Sequence, residues 1–291
     1  MWFDPEPVRV AGELAPEWLV LVLALLSFLG SIVVIAPVAV AAYWTGDRER
    51  TAPWLAAMVA IYGAMTLTKS LVALSRPPVA PPVDPATLPL VVRPAYVHAA
   101  EIDTASFPSG HVLAAVVFWT LVALDSELGS ARTRLAAAGS VVTVVAASRI
   151  VLGAHYLGDL AGGLVVGLAL LAGVLAIRSR AREPVPALLI AAGVLAAGGV
   201  VAGSGQAAAV VGASVGALAA WRATDGGVRL REEFRPRTHR GIATLAGAFV
   251  LTGVGVAGVA LVVHPLTLAV AGAVGTALVV AAPALVRDAT G

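Results

Sequence analysis

Three groups of polar residues interrupt an otherwise apolar sequence, and their types together could handle a phosphate. Lys69 and Arg76 stand seven residues apart in Lys69-Ser70-Leu71-Val72-Ala73-Leu74-Ser75-Arg76-Pro77. Seven residues is close to two helical turns, which predicts both cations on one face at the end of a helix that Pro77 stops. Phe107-Pro108-Ser109-Gly110-His111 has the make-up of a helix start. Pro suits the first helical turn, and Ser109 and Gly110 leave backbone N–H groups at the positive end of the helix dipole, a cradle for phosphate or an oxyanion. His111 follows within the same turn. Further on, Ser148-Arg149 precede His155 and Asp159, whose i, i+4 spacing predicts one shared helical face. There the carboxylate can accept one imidazole N–H, fix the tautomer and leave the other ring nitrogen as a nucleophile.

Each group also has a plainer explanation. Basic residues at a helix end snorkel to a membrane interface, Pro-Ser-Gly simply opens helices, and a His–Asp pair can be a satisfied buried pair. The single lysine shifts the first case. Of nineteen basic residues eighteen are Arg, and the one Lys sits where a compact point charge differs from a planar fork. Ionisable groups at membrane depth are costly and by default suggest function. Three cations, a helix N-terminus, two histidines and one orienting carboxylate suit phosphoryl transfer, which needs little beyond positioning and charge stabilisation. Cations and amides would neutralise a dianion, one histidine would attack phosphorus and the other would protonate the leaving oxygen. No metal is expected, because only Asp159 lies in the motif helices and Glu101 and Asp103 lack partners at ligand spacing.

The elements that must position these residues are membrane helices. The 291 residues are 59% hydrophobic and 12% charged, against roughly a quarter charged in soluble domains, so the chain cannot clothe a soluble globule in polar surface. The apolar residues come in blocks near the roughly 20 needed to cross a bilayer. Nine spans are predicted, at about 18–43, 54–75, 107–124, 133–152, 156–177, 185–203, 206–221, 241–263 and 265–286. The fold class is thus an all-α, polytopic membrane helix bundle. Small residues four apart, as in Gly163/Gly167 and Gly212/Gly216, would allow close helix approach. With no cysteine, disulfides, cysteine-ligated zinc and thiol catalysis are excluded. The basic balance fits ordinary loop arginines rather than nucleic-acid binding.

The N-terminal stretch to Glu17 is acidic and Pro-containing, without the basic region of a secretory signal, so the first apolar block is expected to be retained. With the N-terminus outside, fourteen arginines fall on inside segments and four (Arg9, Arg76, Arg93 and Arg149) outside, as the positive-inside rule favours. All three polar groups then face outward, and the C-terminus is cytoplasmic. Seven prolines between Pro77 and Pro94 predict an extended, semi-rigid loop. The spans after about residue 184 carry almost no ionisable residues and read as scaffold.

Lys69-x6-Arg76-Pro77, Pro108-Ser109-Gly110-His111 and Ser148-Arg149-x5-His155-x3-Asp159 resemble, part for part and in order, the three-part signature of the type 2 phosphatidic acid phosphatase (PAP2) superfamily. The resemblance covers about residues 69–159 and implies a PAP2-like catalytic core over 1–184, with additional helices of unknown role over 185–291. It also implies roles. His155 would be the nucleophile that forms a phosphohistidine, Asp159 its orienting partner and His111 the general acid. Lys69, Arg76, Ser109, Gly110 and Arg149 would hold the phosphate oxygens, with no metal or cofactor. The implied activity is hydrolysis of a lipid phosphate or polyprenyl pyrophosphate at the extracytoplasmic face. A phosphotransferase using the same intermediate is the near alternative. A lipid or anion transporter is the alternative from another class, disfavoured by the lack of polar groups in the later helices.

Overall fold

The computed structural model describes residues 2–100, 104–224 and 264–288, and every regular element among them is helical. In chain order these are α1 (Glu6–Leu14), α2 (Glu17–Ser27), α3 (Ile32–Thr45), α4 (Arg48–Val72), α5 (Arg93–Ala100) and α6 (Gly110–Asp125). They continue with α7 (Ala131–Val151), α8 (Leu157–Arg180), α9 (Pro184–Val201), α10 (Ala207–Ala223) and α11 (Pro265–Asp288). Short 3₁₀ turns cover Phe28–Gly30 and Pro85–Thr87.

Five described helices are long and apolar enough to cross a membrane: α4, α7, α8, α9 and the Pro265–Ala282 part of α11. A sixth is counted if α1 and the stretch Glu17–Gly30, bent by 117°, form one broken span. This marks a membrane protein, while the expected nine spans are not all found among the described residues. The predicted first span, 18–43, is interrupted: Ser27 Oγ donates back to the Ala24 carbonyl and Ser31 is extended at ψ 153° before α3 begins. Gly30 sits in this break because the His111 carbonyl approaches it, and a Cβ there would lie 2.5 Å from that oxygen. The predicted third and seventh spans appear as α6 and α10, of 16 and 17 residues, short of the roughly 20 that span hydrocarbon. The predicted span 241–263, together with Glu101 and Asp103, lies outside the described residues.

Two compact units emerge. The first comprises Met1–Val34 with Thr68–Leu171, and holds every predicted site residue. Its interior is built where α2, α5 and the end of α7 bury Val20, Ala24, Tyr96, Ala99 and Leu152, and where α6 meets α7 through Val112, Ala115, Val116 and Val145. Burial of such side chains contributes roughly 1.5–3 kcal/mol each in water-exposed protein, and in lipid the same packing acts through close contact instead. Two polar contacts tie it together: Val83 N–H donates to Tyr96 Oη (3.1 Å) and Trp119 Nε1 to the Leu29 carbonyl (2.7 Å). Two helices were not expected. The N-terminal stretch forms α1, and the Pro-rich loop forms α5, because its last proline, Pro94, falls in a first helical turn, where proline's missing N–H is harmless.

Gly163 and Gly167 of α8 face α6. A Cβ on Gly163 would lie 2.7 Å from the Ser109 carbonyl, and one on Gly167 3.1 Å from Val116 Cβ. The glycines therefore let α8 touch the backbone that opens α6.

The second unit comprises Ile35–Leu67 and Ala172–Gly291. In it α10 packs on α9 and α11, and Gly212 and Gly216 stand against the backbone of Ala269 and Ala273. Thr276 Oγ1 donates to the Ala213 carbonyl (2.8 Å), and Trp44 Nε1 to the Val279 carbonyl (2.9 Å).

Candidate active site

The turn between α7 and α8 carries the central pair. Gly153, at φ +74°, takes the left-handed conformation that ends α7, which a side chain would strain. The chain then runs through Ala154, His155 and Tyr156 before α8 begins at Leu157. His155 thus stands just ahead of the helix rather than within it, yet its Nδ1 lies 3.2 Å from Asp159 Oδ2, with both side chains sealed from solvent at 1% and 0% exposure. Asp159 is the third residue of α8, where a carboxylate can reach back to the first free amide. Its Oδ2 accepts the Tyr156 N–H at 2.8 Å and also the hydroxyl of Ser106. With Nδ1 donating to this carboxylate, Nε2 keeps the lone pair.

Burial, then the charges of Arg149, Arg76 and Lys69, hold the His155 imidazole well below its ordinary pKa, with the Ser106 backbone opposing. The ring is therefore neutral at neutral pH.

Arg76 faces that ring. Its Nη1 lies 3.4 Å from His155 Nε2 and donates to the Ala154 carbonyl (2.6 Å), while Nε donates to the Thr104 carbonyl (2.8 Å) and Nη2 to Thr104 Oγ1 (3.3 Å). The expected helical face shared by Lys69 and Arg76 is not how they meet. α4 ends at Val72, and Ala73, at φ +47°, turns the chain, so that Arg76 extends from non-helical backbone. Lys69, still on α4, donates to the Ala105 carbonyl. Arg149, on the last turn of α7, is fully buried. Its Nη1 donates to the Ala99 carbonyl (2.7 Å), whereas Nε and Nη2 have no hydrogen-bond partner among protein atoms.

The opening of α6 completes the cluster. Ser109 is its N-cap and Gly110 its first residue, so Pro108 lies outside the helix rather than in its first turn. The Ser109 N–H donates to the Asp159 carbonyl (2.9 Å), which removes it from the expected cradle. The cradle is narrowed to the Gly110 and His111 amides, which open the helix, and the Ser109 hydroxyl, whose buried Oγ has no partner. His111 lies within electrostatic reach of Arg149, His155, His98 and Arg76.

The structure thus brings Lys69, Arg76, Ser109, Gly110, His111, Arg149, His155 and Asp159 into one neighbourhood of the first unit. Sequence reasoning missed Ser106 and Thr104, and the carbonyls of Ala99, Ala105 and Ala154. No residue type announces a carbonyl acceptor, and Ser106 lies just outside the helix-start motif. Among the described residues, no three His, Asp or Glu side chains group as ligands for a metal.

A buried His–Asp pair, three converging cations and a helix N-terminus have the chemistry to hold an oxyanion beside a neutral imidazole. The comparison with known families gives this arrangement a lineage. Residues 50–183, a segment that contains the whole cluster, match the family model of the PAP2 superfamily, which supports membership of that superfamily. No curated protein and no solved structure matches the chain.

Proposed function

We propose that the protein is a metal-independent membrane phosphatase that hydrolyses a lipid phosphate or polyprenyl pyrophosphate through a phosphohistidine on His155. Superfamily membership suggests phosphatase activity in general. The observation that carries the finer reading is the His155 ring, locked at Nδ1 by Asp159 while Nε2 faces Arg76. In the first step Nε2 bonds to phosphorus, the bond to the leaving oxygen breaks, and that oxygen takes a proton from His111. In the second, His111 takes a proton from water, the hydroxide attacks phosphorus, and the N–P bond returns its electron pair to Nε2. Arg76, Arg149 and Lys69, with the Gly110 and His111 amides and Ser109 Oγ, neutralise the phosphoryl oxygens throughout. Asp159 stabilises the imidazolium charge. The loop-arginine bias supports a site opening to the extracytoplasmic face, where a lipid headgroup would lie. The helices beyond residue 184 serve this reading as scaffold.

The test is phosphate release by purified protein from phosphatidate, phosphatidylglycerol phosphate and polyprenyl pyrophosphates in EDTA. Turnover of at least one lipid is expected, with alkali-quenched protein carrying label on histidine. Full activity in His155→Ala would sink the mechanism. Added acceptor lipids that divert the phosphoryl group from water would convert the assignment to a phosphotransferase. Liposome uptake that survives loss of both His111 and His155 would favour a transporter.

A further inference from the structure

The N-terminal segment reaches the active-site turn. Phe3 packs edge-on against Tyr156 (centroids 5.9 Å, 78°) and against Phe107 (6.3 Å, 64°). Its ring also covers Gly158, where a Cβ would lie 2.7 Å from the nearest ring atoms, and the Gly158 N–H donates to the Trp2 carbonyl at 2.8 Å. Each of these neighbours adjoins a site residue. Tyr156 follows His155 and gives its N–H to Asp159, Gly158 precedes Asp159, and Phe107 lies between Ser106 and Pro108-Ser109. The two chain segments that must stay in register, 155–159 and 106–109, are already tied by Ser109 N–H to the Asp159 carbonyl and by the Ser106 hydroxyl to its carboxylate. Phe3 bridges the same two segments from the other side. Behind it, α1 is seated on the end of α7, with Gly12 close enough that a Cβ would lie 3.3 Å from the Val151 carbonyl.

We propose that Phe3 is a positioning residue for phosphoryl transfer, clamping the His155–Asp159 turn to the Phe107–Ser109 segment so that nucleophile and phosphate cradle keep one geometry. Phe3 touches no reacting atom. Its effect falls on the alignment of Nε2 with phosphorus, and hence on kcat more than on phosphate binding. This rests on the phosphohistidine reading above.

The experiment is a double-mutant cycle on the full chain, with Phe3→Ala, Gly158→Ala and the pair, measuring kcat, KM and inhibition by inorganic phosphate. Misplacement of a reacting group by about an ångström costs up to about a hundredfold. Phe3→Ala is therefore expected to lower kcat about ten- to a hundredfold, with the phosphate inhibition constant changed less than about threefold, and Phe3→Leu to recover most of the loss. Gly158→Ala displaces the Phe3 ring and should lower kcat similarly, although alanine is the better helix former by about 1 kcal/mol. In the Phe3→Ala background the new methyl has space, so its added effect should shrink to about twofold. Independent, multiplicative losses would overturn the proposal, as would a Phe3→Ala enzyme within twofold of wild-type kcat, or losses that track folded fraction with no rescue by Phe3→Leu. His155→Ala in parallel separates the two claims. Its full turnover defeats the phosphohistidine reading whatever the Phe3 cycle gives.

Discussion

Replacing Arg149 by methionine should make the protein more stable and almost inactive. The guanidinium is fully buried and uses only Nη1, on the Ala99 carbonyl, while Nε and Nη2 stay unpaired. An unpaired buried donor costs about 1–3 kcal/mol, so the two together cost about 2–6 kcal/mol in the resting fold. Methionine removes both donors and a buried charge that stands within reach of Arg76. It sacrifices one hydrogen bond and leaves the Ala99 carbonyl unpaired, about 1–3 kcal/mol. The difference is a net gain of about 1–3 kcal/mol, in line with the gains seen when buried ions give way to apolar groups of similar volume. On the proposed mechanism the same change strips donors from the phosphoryl oxygens, and losing one such donor costs about a hundred- to a thousandfold in kcat. A phosphate analogue such as vanadate, at a hundred times its Kd, should stabilise the wild type by about 2.7 kcal/mol and the variant far less. The assays are thermal unfolding in detergent with and without vanadate, and phosphate release. A variant that unfolds earlier than wild type, or retains more than a tenth of its turnover, would refute the idea that Arg149 is held unpaired for a ligand.

Three further outcomes follow from the same geometry. Because His155 is held below its ordinary pKa and must be neutral to attack, the acid limb of kcat/KM should lie below the unperturbed imidazole value of about 6.5. Corrected for substrate ionisation, a limb at or above that value would contradict the burial of this ring. Asp159→Asn should lower kcat about a thousandfold or more, since an amide no longer fixes the Nδ1–H tautomer. Near-normal single-turnover labelling of His155 would refute it. Gly163→Ala places a methyl 2.7 Å from the Ser109 carbonyl and should cut turnover about ten- to a hundredfold by shifting the start of α6. Unchanged kcat would show that the helix can yield.

What the sequence made legible was residue type at a chain break. Glycine, the residue that most readily takes a positive φ, ends α7 at Gly153, and the four-residue glycine spacing does mark close helix contact, with Gly163 and Gly167 against α6 and Gly212 and Gly216 against α11. Periodicity failed where tertiary contact redirected the chain. The Lys69–Arg76 spacing reads as two helical turns, but Ala73 leaves the helix at φ +47° and Arg76 reaches His155 from non-helical backbone. Apolarity alone ran 18–43 together, although Ser27, Gly30 and Ser31 break it where α6 passes. Proline count hid α5, since a proline in a first turn opens a helix as readily as it ends one. The partners of the cations could not be read because they are main-chain carbonyls.

Those carbonyls explain how so many positive groups can share a nearly dry site. Lys69 is held by the Ala105 carbonyl, Arg76 by those of Thr104 and Ala154, and Arg149 by that of Ala99. Had carboxylates filled these places, each cation would sit in a neutral pair and a phosphate dianion would have to break it. A carbonyl satisfies an N–H without cancelling its charge, so these contacts leave the charge of each cation in place. Among the described residues the carboxylate linked to the imidazole is that of Asp159, which spends its Oδ2 on Ser106, Tyr156 and His155. Three of the four carbonyls belong to Ala99 at the end of α5 and to Thr104 and Ala105 ahead of α6. On this argument, an acidic side chain introduced at Thr104 should damage the site more than loss of the hydroxyl that Arg76 Nη2 contacts at 3.3 Å. Thr104→Val would cost one hydrogen bond, whereas Thr104→Glu would place a carboxylate beside the Arg76 guanidinium and compete with the substrate itself.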